Sequence, residues 1–231
     1  MSHGKESIAL NLRNEKGVEI AKKLAQNADV LIEPFRKGVM ERLGLGPSVL
    51  LSSNPKLIYA RLTGYGQFGE LSQRAGHDIN YLGYAGVLST LGRRSEKPHA
   101  PINLLADFAG GGLMCALAIV SALYERGEKK SAGKVIDCSM VEGAAYVSSW
   151  LWSSKNIPGV WEGDEKGANL LDGGYFAYDT YETKDGKFMA CGALEPQFNA
   201  ELLKSRYIFY LLFLSFDLEN ILMRIEHRAG T

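Results

Sequence analysis

The amino-acid sequence predicts an α/β protein whose buried strands run parallel. Two short apolar runs, Val30–Ile32 and Leu57–Leu62, have the length and composition of buried strands. A helical repeat of apolar residues precedes the first run, and a glycine-rich loop, Thr63–Gly69, directly follows the second. Ligands in α/β proteins bind beyond the carboxyl ends of parallel strands, but taken alone this segment predicts a simple turn, with a ligand loop as the alternative. The loop matches neither a dinucleotide fingerprint nor a P-loop, so the sequence predicts no nucleotide motif.

The elements before this loop follow from apolar spacing, caps and turns. Weak alternation predicts a short strand at Ser7–Leu12. Asn14 is expected to cap a helix whose apolar residues recur from Val18 to Ala28. Val39–Leu43 favours a short helix, and Pro47 suits the first turn of another. Helices therefore alternate with the two strands, as in a βαβ unit.

Beyond the loop, the same signals predict further helices, one more strand and a hairpin. Asp78 is expected to cap a helix that runs to about Leu88, and Asn103 or Asp107 to open a longer apolar helix that ends near Arg126. The remaining predicted elements are a strand at Lys134–Asp137, a helix at Met140–Trp152, and hairpin strands at Tyr175–Thr183 and Lys187–Ala193.

The composition changes after residue 152, where one proline and three glycines interrupt the pattern between residues 153 and 170. This segment predicts a linker between a large α/β domain at residues 1–152 and a partial small domain at residues 171–204. Residues 205–231 form a tail. Its uncharged apolar run, Tyr207–Phe216, is expected to be helical and buried.

Composition and charge exclude several classes of function. The 231 residues include 26 Lys and Arg and 26 Asp and Glu, so no basic excess indicates a nucleic-acid partner or an anionic membrane surface. The apolar stretch Phe108–Leu123 is shorter than the roughly 20 residues that a membrane span needs. The three cysteines are widely spaced, and neither disulfide pairing nor a metal site is predicted.

His77 is the first candidate for acid/base chemistry. It lies in Gly76–Tyr81, just before a predicted helix, and imidazole is the side chain most often used to move protons near neutral pH. From spacing alone, a surface or capping role is favoured for His77, with acid/base chemistry as the alternative. Asp78 is likewise more typical of a helix cap than of a catalyst.

Asp107 is the second candidate because it lies in a nearly uncharged segment, Asn103–Gly112. A carboxylate in apolar surroundings is unfavourable unless it is hydrogen-bonded or its pKa is shifted. The residue is therefore either a helix cap or a carboxyl group held in an apolar pocket to move protons. The three glycines at 110–112 would let a bulky ligand approach the helix backbone. Glu195, taken alone, is typical of a first-turn helix acid.

Four segments together resemble the alpha-methylacyl-CoA racemases of the family III CoA-transferase superfamily: Gly76–Tyr81, Asn103–Gly112, Val135–Gly143 and Glu195–Phe198. The similarity is continuous from about His3 to Phe198. It implies a Rossmann-like parallel sheet with flanking helices, here incomplete, followed by the start of a smaller second domain that contains the β-hairpin. It also implies a homodimer located in peroxisomes or mitochondria, acting on intermediates of branched fatty acid and bile acid metabolism.

The resemblance implies exchange of the 2R and 2S epimers of 2-methyl-branched acyl-CoA thioesters by two-base proton transfer at C2. It assigns the acid/base roles to His77 and Asp107. It also implies that the Glu195 carboxylate pairs with the catalytic histidine across the dimer interface. Backbone N–H groups near Asp107 are expected to bind the enolate oxygen. No metal or other cofactor is implied, since CoA is part of the substrate. The segments that contact the thioester and CoA are Leu10, Asn11, Leu12 and Arg13, and Gly76, Asp78, Ile79, Asn80 and Tyr81 around the catalytic histidine.

The sequence also departs from this family. The family normally begins with a further strand and helix, and from about Lys204 its pattern is lost. These departures predict a shortened chain that keeps the catalytic pair and lacks part of the CoA pocket. Two alternatives stay open: a CoA-transferase in which Asp107 attacks as a nucleophile, and a non-catalytic fragment that binds or dimerises.

Overall fold

A computed structural model describes residues 4–183 and 185–212, with side chains described through Lys204. It confirms the predicted α/β class. Strands β1 (Val30–Glu33), β2 (Ile58–Thr63) and β3 (Lys134–Ser139) form a parallel sheet in the order β1-β2-β3. Ile58 of the central strand lies opposite Val30 on one side and Lys134 on the other. The carboxyl ends of the strands therefore meet at one edge, where the glycine-rich loop begins.

Helices and one hairpin make up the other regular elements. The helices are α1 (Glu15–Gln26), α2 (Val39–Arg42), α3 (Pro47–Ser53), α4 (Asp78–Tyr84), a π-helix (Leu104–Leu113), α5 (Met114–Lys129), α6 (Met140–Val147), α7 (Ser149–Ser153) and α8 (Pro196–Leu212), with 3₁₀ turns at Val87–Thr90 and Ser154–Asn156. Strands β4 (Tyr178–Glu182) and β5 (Phe188–Gly192) pair antiparallel and confirm the predicted hairpin, although Lys184 of its turn lies outside the described residues.

The core explains why the chain is apolar from Leu57 to Ala60, where β2 begins. Successive side chains of a strand point to opposite faces, so Leu57 and Tyr59 face one side of the sheet while Ile58 and Ala60 face the other. All four are 0% exposed. The first pair packs in a cluster with Ala25, Met40, Leu45 and Leu50, and the second with Cys115, Ile119 and Ala122. Helices α1–α3 therefore cover one face of the sheet and α5 covers the other.

Local signals located most helix starts correctly. The side chain of Asn14 accepts a hydrogen bond from the Lys16 N–H at 2.9 Å, and Pro47 occupies the first turn of α3. The strand predicted at Ser7–Leu12 is wrong, since this segment pairs with no strand. Its apolar residues line a cavity instead of joining the sheet edge. The helix predicted at Met140–Trp152 is interrupted at Ser148, between α6 and α7.

The π-helix and α5 are continuous, so the chain is helical from Leu104 to Lys129 over 26 residues. This helix is longer than the apolar stretch counted in the sequence. By length and composition alone it is able to cross a membrane, a property that core helices of water-soluble proteins share. Its inner face packs on β2 and β3 through Cys115, Ile119 and Ala122.

The chain divides into two compact units. The first comprises the described residues through Val87 together with Ala100–Ser149, and it contains the parallel sheet. The second comprises Leu88–His99 and the described residues from Trp150 onward, and it contains the hairpin and α8. The α8 backbone includes the first part of the apolar run Tyr207–Phe216, and the rest of that run lies outside the described residues.

A buried ion cluster lies at the carboxyl ends of β1 and β2. The Arg61 guanidinium donates to Glu33 at 2.7 Å, and to both carboxylate oxygens of Glu41 at 2.7 and 3.2 Å. Glu33 is 1% exposed, and its other oxygen accepts from the Phe35 N–H. The Arg61 hydrogen bond holds the pKa of Glu41 below its usual value. Arg61 therefore neutralises a carboxylate that has no access to water.

Replacing Arg61 by methionine is expected to lower the free energy of unfolding by about 3 kcal/mol or more. The physical reason is that Glu33 would be left buried and charged without a cation. Urea unfolding monitored by circular dichroism measures the change. The same substitution at Arg94, whose ion pair with Glu165 is exposed, should have little effect. Equal stability of the two variants would contradict the structural role of the cluster.

Candidate active site

His77 lies immediately before α4, as its N-cap residue. Its backbone is held from both directions: the His77 N–H donates to the Asn80 side-chain oxygen at 3.0 Å, and the Asn80 N–H donates to the His77 carbonyl at 2.8 Å. The imidazole is exposed. The start of α4 thus fixes the backbone from which the imidazole projects, while the exposed ring itself is accessible to a ligand.

Asp107 lies in the first turn of the π-helix. One of its carboxylate oxygens accepts a hydrogen bond from the Asn103 side-chain amide at 2.8 Å. Asn103 precedes the helix in the left-handed backbone region, with a φ of 59°. A π-helix of this length is rare, and such helices are frequent at functional sites. The sequence predicted a helix start here but had no signal for its π geometry.

Asp78 connects the two candidate residues. It is 1% exposed, and its Oδ1 accepts from the Ala106 N–H at 2.8 Å and from the Asp107 N–H at 3.0 Å. The prediction that Asp78 caps α4 is wrong, because it is the first residue inside the helix and its side chain turns to the start of the π-helix. The Ala106 and Asp107 amides therefore donate to Asp78, and the binding of an enolate oxygen by N–H groups near Asp107 stays a prediction.

The acidity of Asp107 follows from these neighbours. Burial raises the pKa of the Asp107 carboxyl group, and the negative charge of Asp78 raises it further. The hydrogen bond from Asn103 and the positive charge of a protonated His77 oppose these effects without cancelling them. His77 and Asp78 therefore both lie close enough to act on Asp107 electrostatically. A carboxyl group with a raised pKa carries its proton to higher pH than an ordinary aspartate.

Tyr81 forms a buried wall beside this site. Its hydroxyl donates to the Gly76 carbonyl at 2.6 Å, and its ring packs edge-to-face on Tyr65 at 5.1 Å between centroids. Burial and then the charge of Asp107 raise the pKa of Tyr81. A Cβ at Gly64 would lie 2.2 Å from the Tyr81 ring, so the ring fits only because this position has no side chain. Sequence reasoning missed this role of the glycine-rich loop.

The π-helix packs on α6 through two glycines. A Cβ at Gly143 would lie 1.9 Å from the Gly110 carbonyl oxygen, and a Cβ at Gly110 would lie 2.4 Å from the Ala144 nitrogen. The two helix backbones are therefore in direct contact. The sequence did not indicate this contact and predicted instead that the glycines at 110–112 let a ligand approach the helix backbone. Gly110 and Gly111 are buried, and a Cβ at Gly111 would press on Met140.

Replacing Gly143 by alanine is expected to lower the free energy of unfolding by about 1–3 kcal/mol, since the methyl group must push the π-helix away. The matched control is Gly127→Ala in α5, where an added Cβ meets nothing within 4 Å. That change should be neutral or stabilise by up to about 1 kcal/mol, because alanine favours helix. Thermal unfolding of both variants measures the difference. A Gly143→Ala protein as stable as the control would disprove the close contact.

The segment from Leu10 to Arg13 lies against a separate apolar cavity of about 300 Å³. Leu10 and Leu12 line this cavity, and the Asn11 side chain accepts from the Arg13 N–H at 3.0 Å. Neither His77 nor Asp107 is among its lining residues. Ile79 and Asn80 are exposed on α4. The assignment of these residues to CoA binding stays a prediction.

Glu195 lies in the second unit, exposed and directly before α8, where its carbonyl accepts from the Asn199 N–H at 2.9 Å. Its pairing with the catalytic histidine stays a prediction. Within the described residues, no group of three or more His, Cys, Asp or Glu is placed to hold a metal. The three cysteines are free, and burial raises the pKa of Cys138 to about 12.

The fold and the site define an α/β protein in which an imidazole and a carboxyl group with a raised pKa lie at adjoining helix starts. The chain belongs to CoA-transferase family III, whose model matches residues 1–206. It is 58% identical to the alpha-methylacyl-CoA racemase of Mus musculus and 54% identical to that of Homo sapiens, in each case over 88% of this chain and 53% of the relative. The chain thus spans about half the length of these curated relatives.

A solved structure supports the same fold. The crystal structure of a CaiB/BaiF family protein from Brucella suis matches with a TM-score of 0.65 and 30% identity, over 82% of this chain and 49% of that one.

Proposed function

We propose that this chain is a racemase, an isomerase that interconverts the 2R and 2S epimers of 2-methyl-branched acyl-CoA thioesters. The observation that carries the proposal is that His77 lies close enough to act electrostatically on Asp107, whose pKa is raised by burial and by Asp78. Similarity to the mouse and human racemases supports the substrate class. A pair of acid/base groups of different type suits a reaction that removes a proton from one face of a carbon and returns one to the other.

In the proposed mechanism, neutral His77 removes the C2 proton of one epimer. The electrons delocalise into the thioester carbonyl as an enolate, and protonated Asp107 delivers a proton to the opposite face of C2. In the reverse direction the Asp107 carboxylate accepts and the His77 imidazolium donates. The raised pKa of Asp107 supports its role as a donor. No cofactor takes part in this proposal, since CoA enters as part of the substrate.

Glu195 completes the proposed site by pairing with His77 across a homodimer interface, where it would orient the imidazole. Leu10–Arg13 and Gly76–Tyr81 would contact the CoA and thioester parts of the substrate. Residues 1–152 would form the substrate-binding domain and 171–204 part of a smaller one, joined by a linker at 153–170. The same resemblance supports a role in branched fatty acid and bile acid metabolism, in peroxisomes or mitochondria.

A CoA-transferase is the second candidate, and the family description favours it. In that reaction the Asp107 carboxylate would attack the thioester carbonyl carbon, the C–S bond would break, and CoA would leave as its thiolate, which gives a covalent acyl-enzyme anhydride. A nucleophilic carboxylate must be ionised, so the raised pKa of Asp107 favours proton transfer over attack. The neighbouring His77 also favours proton transfer over nucleophilic attack, because the transferase route needs no base at that place. A non-catalytic chain that binds or dimerises is the third candidate.

Hydrogen exchange at C2 separates these candidates. The chain is incubated in heavy water with a single epimer of a 2-methylacyl-CoA, and deuterium at C2 and the epimer ratio are followed by NMR and chiral chromatography. A racemase incorporates deuterium as the other epimer appears. Mass spectrometry of the protein detects an acyl or CoA adduct on Asp107 if the reaction is transfer. Binding without exchange or adduct, seen by thermal shift and size exclusion, would support the non-catalytic candidate.

A further inference from the structure

We propose that Asp78 is a positioning residue, whose buried carboxylate fixes the start of the helix that carries Asp107 and places a like charge beside that second carboxyl group. The inference rests on the proposed racemase function and deepens it. It assigns to the Asp78 side chain a task carried out through Asp107, in place of the predicted helix cap.

The positioning part follows from two hydrogen bonds. Asp78 Oδ1 accepts from the Ala106 N–H at 2.8 Å and from the Asp107 N–H at 3.0 Å. The first N–H groups of a helix have no acceptor within the helix, and they carry partial positive charge. A carboxylate that accepts both is held by charge-assisted bonds. One of these amides belongs to Asp107 itself. Any movement of the Asp78 carboxylate therefore moves the backbone to which the Asp107 side chain is attached.

The electrostatic part follows from the surroundings of Asp78. The residue is 1% exposed, and its second oxygen, Oδ2, has no hydrogen-bond partner among the described residues. None of the ion pairs formed by the described residues involves Asp78. A like charge at short range through a protein interior disfavours ionisation of a neighbouring carboxyl group.

The other groups that face Asp107 do not oppose its ionisation as the charge of Asp78 does. From α4, protonated His77 acts in the opposite direction, and the Tyr81 hydroxyl is neutral and donates to the Gly76 carbonyl. From the residue before the π-helix, Asn103 donates a hydrogen bond that stabilises the ionised form. Asp78 is therefore the neighbouring charge that opposes ionisation of Asp107 among the described residues.

Three variants separate position from charge. Asp78→Asn keeps an oxygen that accepts the two amides but removes the charge. Asp78→Ala removes both. Asp137→Asn is the matched control, since Asp137 also accepts from a backbone amide, that of Gln67 at 3.0 Å, and is not among the groups that shift Asp107.

The test is a ¹³C NMR titration of protein labelled at aspartate carboxyl carbons, with Asp107 assigned by the signal lost in Asp107→Asn. We expect the Asp107 titration midpoint to move to lower pH in Asp78→Asn and to stay unchanged in Asp137→Asn. An unchanged midpoint in folded Asp78→Asn overturns the proposal. This measurement needs no turnover, so it stands apart from the heavy-water experiment. Absence of C2 exchange in the parent chain refutes the racemase function without altering the titration.

The pH dependence of epimerisation gives a second test. The proton-donating form of Asp107 exists below its midpoint and is lost as pH rises, so Asp78→Asn should lose the Asp107-dependent direction of epimerisation at lower pH than the parent. Asp78→Ala should lower kcat by roughly 10²-fold at every pH through misplacement of Asp107, if it folds. A variant Asp78→Asn with the parent pH profile would contradict the electrostatic part of the proposal.

Discussion

Replacing His77 by alanine is expected to lower the rate of epimer interconversion by about 10²-fold or more, because the group that exchanges the proton on one face of C2 is lost. Since the imidazole is exposed and the hydrogen bonds between the His77 backbone and Asn80 do not depend on the imidazole, the fold should be retained. Circular dichroism checks the fold, and the epimer ratio checks the rate. His99→Ala is the matched control, because His99 is an exposed histidine of the second unit. Its Nε2 lies 3.1 Å from Oε2 of Glu96.

Turnover of His77→Ala at the parent rate would show that His77 is not an acid/base group. A similar loss in His99→Ala would indicate a nonspecific effect of removing a histidine. Addition of imidazole offers a further check, since rescue of His77→Ala by an external base requires that the missing function is proton transfer.

Replacing Asp107 by asparagine should abolish interconversion almost completely, by roughly 10²–10⁴-fold, because an amide cannot deliver the proton to the second face. The shape of the side chain and an acceptor for Asn103 are preserved. His77 would still exchange the C2 proton of one epimer with solvent. We therefore expect deuterium to enter one epimer and not the other, with little inversion in either case.

This asymmetry separates a lost catalyst from a damaged fold. If Asp107 only stabilises the start of the π-helix, the change should cost under about 1 kcal/mol of stability and leave exchange intact. Equal loss of exchange from both epimers in a folded protein would contradict the assignment of one residue to each face. Asp137→Asn serves as the control here as well, and should exchange both epimers as the parent does.

Local patterns were sufficient where neighbouring residues decide the structure. The Asn14 cap, the first-turn proline at Pro47 and the buried strand at β2 follow from short-range chemistry. Ser7–Leu12 has the alternation of a strand, yet its backbone pairs with no other strand. Alternation shows which side chains are apolar and does not show whether a partner strand is present.

The sequence by itself determined the α/β class, the hairpin, and the two side chains on which the proposed chemistry depends, His77 and Asp107. Only the tertiary structure decided what surrounds them. It showed that the Asp78 side chain accepts hydrogen bonds from the amides of Ala106 and Asp107, 28 and 29 residues away, instead of capping its own helix. It also showed that Gly110 and Gly143 bring two helix backbones into contact. Acidity depends on burial and on charges within a few ångströms, and such distances between remote residues exist only once the chain has folded.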